Sequence, residues 1–525
     1  MVKYIKGSDN VERSIREFVL DTGLITDDNL LPNINLRSKA YRTNDPNNEY
    51  VYFNLPMWTA AMQCLVGYKG RFQLMVAMPQ RGGIGVIPRS IDIEPAYTIA
   101  KQTKDAQGGF QTSLRAVRSD DSLETVINLM RETKYSKFPV VDESGKCLGL
   151  LTDDMFDPDK AEGLQVRDVY RGYALVDRTG NLMNGVDILK TEGYVPLAVK
   201  KGISLQEAGK IMTRYANGFL LVLDDDAKLW GSTFKKDRDM HVIYLPHETI
   251  DQVSKKYRVA AAVSTHKDDH PRIRALLSPE LDLDVIILDA SHGQSVFQAR
   301  TLEFIRKINE KIPVIAGNLI NQEGTTYILE EGLRVDGHGF AAIKTQMGVG
   351  AGCTSTEVHG TGAASFSGTY EPYQARNKFA DDHSIYVPLI HDGGIFTAPQ
   401  ISVALTMADT IMMGKFFGRF TESAGDIHPK TGQKEMFYEA SPRVKNAQRY
   451  QTLVAQFAEG EDGWVPHVGS IHDEGALALT VEMIKTSFMH SGCKNIDEFH
   501  ANAVLKRQSE IALREHGATG IEVRR

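Results

Sequence analysis

The segment Lys344-Thr345-Gln346-Met347-Gly348-Val349-Gly350-Ala351-Gly352-Cys353-Thr354-Ser355-Thr356 gathers groups that can do chemistry. Its alternate glycines let the backbone turn sharply and present amides and carbonyls. Amides so arranged suit an anion, and carbonyls suit a cation. Cys353 ends the turn beside hydroxyls, and a thiol whose pKa is lowered by nearby amides is a nucleophile. The plainer alternative is a small buried cysteine beside a structural turn. Asp392-Gly393-Gly394 follows the apolar run Val387-Pro388-Leu389-Ile390, and Gly414-Lys415 follows Ile411-Met412-Met413. Such turns suit a phosphate, and an aspartate just before one suits a ribose diol. Asp289-Ala290-Ser291-His292-Gly293 also ends an apolar run. A lone histidine such as His292 is more often a satisfied surface residue than a catalyst.

Each of these turns needs a strand to carry it. Eight apolar runs qualify: Asn54–Ala61, Gly82–Ile87, Tyr257–Val263, Asp282–Ala290, Ile312–Leu319, Gly339–Gln346, Ile385–Gly394 and Asp409–Lys415. Most are short and continuously apolar, as in strands covered on both faces. Helical patterns follow several of them, at Ser295–Asn309 and Gln322–Glu331. Alternating strands and helices predict an α/β fold with a parallel sheet, and eight strands predict a (β/α)8 TIM barrel with its site on loops at the C-terminal strand ends. A doubly wound open sheet is the alternative.

The long gap between the second and third runs holds an internal repeat. One copy runs from Ser122-Leu123 through Lys137-Phe138-Pro139-Val140-Val141 to Gly149-Leu150-Leu151-Thr152-Asp153-Asp154. The other runs from Ser204-Leu205 through Phe219-Leu220-Leu221-Val222-Leu223 to Gly231-Ser232-Thr233-Phe234. Both read helix, strand, turn, strand, and such units pack in pairs because one alone buries too little. The expected division is a barrel formed by residues 1–112 and 238–525, with an inserted domain at 113–237.

The chain has 525 residues, with 60 basic and 67 acidic side chains giving a net charge of −7, which gives no general electrostatic case for nucleic acid. No apolar run reaches the ~18–20 residues that span a bilayer, and Met1–Gly7 lacks a signal-peptide stretch. No membrane and no nucleic acid are therefore expected as partners. Cys64, Cys147, Cys353 and Cys493 form no CxxC pair, so neither a disulfide framework nor a zinc site is expected, and the cytoplasm is the expected compartment.

Taken together, these residues resemble the IMP dehydrogenase and GMP reductase family over nearly the whole chain. The resemblance extends to Leu30-Leu31-Pro32, Leu55-Pro56-Met57-Trp58-Thr59-Ala60-Ala61-Met62 and Arg81-Gly82-Gly83-Ile84-Gly85. The insertion resembles the family's tandem CBS (Bateman) module. The resemblance implies that Cys353 attacks C2 of a purine nucleotide, that hydride passes to NAD+, and that water hydrolyses the covalent intermediate to XMP. It implies nucleotide contacts at Asp392, Gly393, Gly394, Gly414 and Lys415, with Glu439 and Ala440 facing the base. Asp289, Ala290, Ser291 and Asn318 would line the nicotinamide side. Gly348, Gly350 and the Cys353 carbonyl would bind K+, completed by Glu515, His516 and Gly517 of a neighbouring subunit in a homotetramer.

Arg443–Tyr450 resembles the mobile flap of protist-type dehydrogenases, which supplies the pair Arg449 and Tyr450, with Arg449 activating water. Glu459 matches a proton-relaying carboxylate, and Ser355 keeps the family's hydroxyl two residues after the cysteine. The sequence also departs from the pattern. Ala351 and Gly352 replace a usual Ser-Ile, Gln346 replaces a usual glycine, and Thr356 replaces a common arginine. The stretch between Tyr450 and Glu459 is short, which leans toward the alternative of an NADPH-dependent GMP reductase, or toward a variant flap. A non-catalytic nucleotide-sensing paralogue is the third reading, motivated by the altered loop. Thr152-Asp153-Asp154 is close to the ribose-binding pattern of CBS motifs, and Phe234 stands near the expected hydroxyl in the second copy. A regulatory purine nucleotide is the ligand so implied.

Overall fold

The computed structural model describes residues 12–46, 49–106, 110, 114–133, 136–183, 194–235, 256–441, 444 and 460–515. The chain divides into two compact units, residues 1–104 with 246–525, and residues 105–245.

The first unit is built on eight parallel strands: β1 (Met57–Thr59), β2 (Val86–Ile87), β3 (Ala260–Val263), β4 (Val285–Leu288), β5 (Val314–Leu319), β6 (Ala342–Thr345), β7 (Leu389–Asp392) and β8 (Thr410–Met413). They pair in sequence from β2 to β8, and β8 pairs with β1. The seam between β1 and β2 is a single bridge, Trp58 to Ile84, held by Thr59 N–H to the Ile84 carbonyl at 3.1 Å. The result is a nearly closed α/β barrel. Every residue of β3, β4 and β6 is buried, because barrel side chains face either the packed interior or the helical ring.

Each strand is shorter than its apolar run, for backbone reasons. Asp282 (φ 52°) and Gly339 (φ 75°) turn the chain before β4 and β6, and Gln346 (φ 87°) turns it out of β6. The helix expected at Ser295–Asn309 spans Val296–Arg306, with Ser295 accepting from Phe297 N–H. The helix expected at Gln322–Glu331 continues to Asp336 and stops where Gly337 is left-handed. A hairpin, Ser38–Arg42 with Tyr50–Phe53, meets the N-terminal ends of β6 and β8 through Arg42 N–H to Ala341 and Ser38 Oγ to the Asp409 carbonyl. The C-terminal ends are thereby left for loops.

The second unit folds both copies of the repeat as helix, strand, turn, strand. Helix Leu123–Thr133 precedes strands Lys137–Val141 and Cys147–Thr152, and helix Leu205–Arg214 precedes Phe219–Leu223 and Leu229–Phe234. Two sheets result, of three and four strands. Their facing sides share a core that includes Cys147, Leu150, Ala198, Phe219 and Leu221. The two turns also bond to each other, Cys147 N–H to Ala227 and Leu229 N–H to Gly145. In both, an aspartate (Asp142 or Asp224) accepts from amides two and four residues ahead, which fixes the turn locally.

Candidate active site

The loops after the strands enclose a cavity at the C-terminal end of the barrel. Its wall includes Cys353 and Ser355 after β6, Asp392, Gly393 and Gly394 at the end of β7, and Gly414 and Lys415 after β8. Asp289 and Ser291 after β4, Asn318 of β5, Gly348, Gly350 and Glu439 complete that set. Ala290 and Ala440 are not on the wall. His292 is exposed and also off the wall. Arg449, Tyr450, Glu459, His516 and Gly517 lie outside the described residues; Glu515 ends the helix Glu510–Glu515.

Cys353 is half-buried, and its thiol donates to Ser355 Oγ at 3.3 Å. The loop is tied by Cys353 N–H to the Gly350 carbonyl at 3.0 Å. Gly394 (φ 71°) packs so closely that a Cβ there would stand 3.1 Å from Val349, and a Cβ on Gly414 would stand 2.7 Å from Met62 Sδ. A side chain at Gly394 would be strained by its left-handed φ, and one at Gly414 would have to displace Met62.

A buried ion cluster organises the centre. Lys344, 2% exposed, projects from β6 and reaches Asp289 Oδ1 at 2.9 Å and Asp392 Oδ2 at 2.5 Å. Arg89 stands 3.5 Å from Asp289 Oδ2. Burial alone would push Asp289 upward, but Lys344 and Arg89 outweigh it and hold the carboxyl below its ordinary value. Burial likewise disfavours the Lys344 charge, and the two carboxylates outweigh it and raise its pKa. Asn318 Nδ2 adds a contact to Asp392 Oδ2 at 3.3 Å. Asp392 Oδ1 takes no hydrogen bond from the described residues.

Glu439 differs. Its carboxyl accepts from Gln63 N–H at 2.9 Å and from the Ser90 hydroxyl, and burial pushes its pKa up to about 7 against the opposing pull of the Gln63 amide and Arg89. The loop bearing Arg89 and Ser90 is held by buried Arg272, which donates to the carbonyls of Pro88 and Ile91. Behind β7, buried His391 bonds the Gly393 carbonyl at 3.0 Å and Thr369 Oγ1 at 2.8 Å. Burial lowers its pKa to about 3, so the ring is neutral and fixed.

Two groups fit absent ligands. Among the described residues, Asn318 Oδ1 is buried without a hydrogen-bond partner beside the cavity, an acceptor suited to a carboxamide N–H such as that of nicotinamide. Among the described residues, the carbonyls of Gly348 and Gly350 each accept one bond, from Thr356 Oγ1 and Cys353 N–H. Each keeps a second lone pair, and carbonyl oxygens suit a hard cation such as K+.

Sequence reasoning gave no role to Lys344 or Tyr438, both of which line the cavity. Lys344 had a signal: a charge inside a buried strand, Ala342-Ile343-Lys344-Thr345, must be paired. Tyr438 had none.

The sequence profile of the IMP dehydrogenase / GMP reductase domain family matches residues 25–518. The chain belongs to this family. Among curated family members, it is 28% identical over 521 residues to an inosine-5'-monophosphate dehydrogenase of Tritrichomonas foetus, covering 97% of this chain and 96% of that one. It is 27% identical to the enzyme of the same name from Aquifex aeolicus, covering 90% of each. Among solved structures, it resembles a cysteine-to-alanine variant of GMP reductase from Trypanosoma brucei in complex with guanosine 5'-monophosphate. That match has TM-score 0.70 and 20% identity, covers 98% of this chain and 99% of that one, and bears on the fold alone.

Proposed function

We propose that this chain is an IMP dehydrogenase that oxidises IMP to XMP through a covalent bond to Cys353. The observation that carries the reading is one cavity holding a half-buried thiol opposite a carboxylate with a free oxygen and two close-packed glycine turns. The curated relatives bearing that activity match almost end to end.

In this reading Asp392 Oδ1 takes the ribose diol. Amides of Gly393, Gly394 and Gly414, with the Lys415 ammonium, hold the phosphate. Lys415 replaces the hydroxyl absent at Ala351, since Lys344 is engaged by two carboxylates. Glu439 and Ala440 bound the base. Cys353 attacks C2 as the thiolate, and Ser355 holds the sulfur in line. NAD+, when bound, accepts the hydride from C2. Asp289, Ala290, Ser291 and Asn318 form its nicotinamide side, with Asn318 Oδ1 turned to the carboxamide. Arg449 and Tyr450 then direct water onto the intermediate, with Glu459 relaying a proton. An arginine acts as base only where its surroundings favour the neutral form.

The carbonyls of Gly348, Gly350 and Cys353 would hold K+, with Glu515, His516 and Gly517 supplied by a neighbour in a homotetramer. The unit expected at 113–237 is proposed as a tandem CBS module for a regulatory purine nucleotide. The Thr152 hydroxyl and Asp154 stand in contact at the end of its first copy, which supports a ribose site there. The cytoplasm is the proposed compartment.

The test is turnover by the purified protein. NADH formation from IMP and NAD+ supports the reading. NADPH consumption with GMP and release of ammonia would replace it with a GMP reductase, the reading favoured by the short stretch between Tyr450 and Glu459. Neither turnover would leave the nucleotide-sensing paralogue.

A further inference from the structure

We propose that Gln346 and His391 are a coupled pair of positioning residues that lock the Gly393 peptide with its carbonyl turned inward, so that the Gly394 N–H is presented to the phosphate of the nucleotide. The inference rests on the reading that the turn after β7 holds that phosphate.

The argument begins at the root of the cysteine loop. Gln346 leaves β6 with φ 87°, a left-handed backbone that a side chain makes costly. That side chain is fully buried, and its Nε2 donates to the Ser365 carbonyl at 2.6 Å and to Thr369 Oγ1 at 2.8 Å. A carbonyl only accepts, so the amide must present its nitrogen there. Among the described residues, Gln346 Oε1 is then buried with no partner. A strained turn and an unmet acceptor persist only where the surroundings fix them, and such places cluster at functional sites.

His391 completes the chain. Its Nε2 lies 3.0 Å from the Gly393 carbonyl, so Nε2 carries the proton. Its Nδ1 faces Thr369 Oγ1 at 2.8 Å and Gln346 Nε2 at 3.4 Å. The Gln346 nitrogen can only donate, so Nδ1 is the acceptor and takes its proton from the Thr369 hydroxyl. The bonds therefore run in one direction, from Gln346 to Thr369, from Thr369 to His391, and from His391 to Gly393. Thr369 lies on the buried side of the helix Ser367–His383, so the end of β6 and the end of β7 are tied through a third element.

The consequence follows from peptide geometry. The Gly393–Gly394 peptide is trans, and a trans peptide points its carbonyl and its N–H in opposite directions. His391 is off the cavity wall, and Gly394 is on it. Drawing the Gly393 carbonyl toward the ring swings the Gly394 N–H toward the cavity. That amide makes no hydrogen bond with the described residues. The two glycines, at φ 94° and 71°, have no side chains to hold their own turn, and the histidine holds it from behind.

The test is equilibrium binding to the full-length protein, measured by calorimetry with IMP and with inosine. The ratio of the two dissociation constants reports what the phosphate adds. His391→Leu removes the donor at similar volume and should weaken IMP about 10-fold while inosine stays within about twofold. His391→Gln puts an amide N–H near the place of Nε2 and should keep the parent's ratio within about threefold. Gln346→Gly relieves the left-handed backbone and carries the test if His391→Leu does not fold. It should lower the ratio about threefold, and adding it to His391→Leu should lower the ratio no further. An unchanged ratio in folded His391→Leu or Gln346→Gly overturns the proposal. So does equal weakening of IMP and inosine, or a parent that binds IMP no better than inosine. If the ratios move as expected while IMP and NAD+ give no NADH, the proposed function falls and this assignment stands. If NADH forms and the ratios do not move, the assignment falls alone.

Discussion

Strand β4 has an aspartate at each end, and the two sit in opposite circuits. At the N-terminal end, Asp284 lies between two cations: Lys104 Nζ at 2.6 Å and Arg258 at 3.3 Å, with Val259 N–H at 2.7 Å. At the C-terminal end, Asp289 shares a single ammonium, Lys344, with a second carboxylate, Asp392. The lower cluster is one acid saturated by donors. In the upper, two acids share one ammonium, with Arg89 beside Asp289 and Asn318 Nδ2 on Asp392 Oδ2, and Asp392 Oδ1 takes no bond from the described residues. Their electrostatics differ accordingly. Burial outweighs the pull of Lys104 and Arg258 and leaves Asp284 raised, whereas Lys344 and Arg89 outweigh burial and leave Asp289 lowered. Buried charge staples the barrel at one end and prepares a site at the other.

The largest effects should come from breaking the two clusters in parallel. Lys344→Met leaves two carboxylates facing each other, which displaces the groups proposed to set the ribose and nicotinamide. Turnover of IMP should fall about 10^2- to 10^3-fold, measured as kcat/KM for NADH formation. Lys104→Met strips the lower acid of its nearest cation. It should cost stability on the order of 3 kcal/mol in urea unfolding, with kcat within about twofold of the parent. If Lys104→Met lost activity as Lys344→Met does, the division between staple and site would fail.

A pH-dependent effect sharpens the upper end. Glu439, pushed up to about 7 by burial, binds its proton more tightly folded than unfolded. Its contribution is fully present below the ordinary glutamate range and is lost as pH rises through about 7. Glu439→Gln should therefore gain on the parent by about 3 kcal/mol between pH 4 and 8. Urea midpoints across that range check this, and parallel curves would contradict it.

Much of the upper end is legible in the sequence. All eight strands lie inside their apolar runs because burial on both faces leaves a continuous apolar signal. Their ends are not legible: turns at Asp282 and Gln346, left-handed without being glycine, depend on tertiary bonds such as Gln346 Nε2 to the Ser365 carbonyl. The cysteine loop and both glycine turns show through residue type alone, since close approach demands glycine. Tyr438 does not show, because the space beneath its ring is made by Gly350 and Gly352, far away in the chain. The pairing of Lys344 with Asp289 and Asp392 joins three strands that no local pattern connects.

The central claim is that Cys353 forms a bond to the purine. Mixing the protein with IMP and NAD+, quenching in acid within a turnover and measuring intact mass tests it most directly. The account predicts an adduct of IMP less two hydrogens, mapped to Cys353 and absent when NAD+ is omitted. NADH formation with unmodified protein at every time point, or an adduct on another residue, would contradict it.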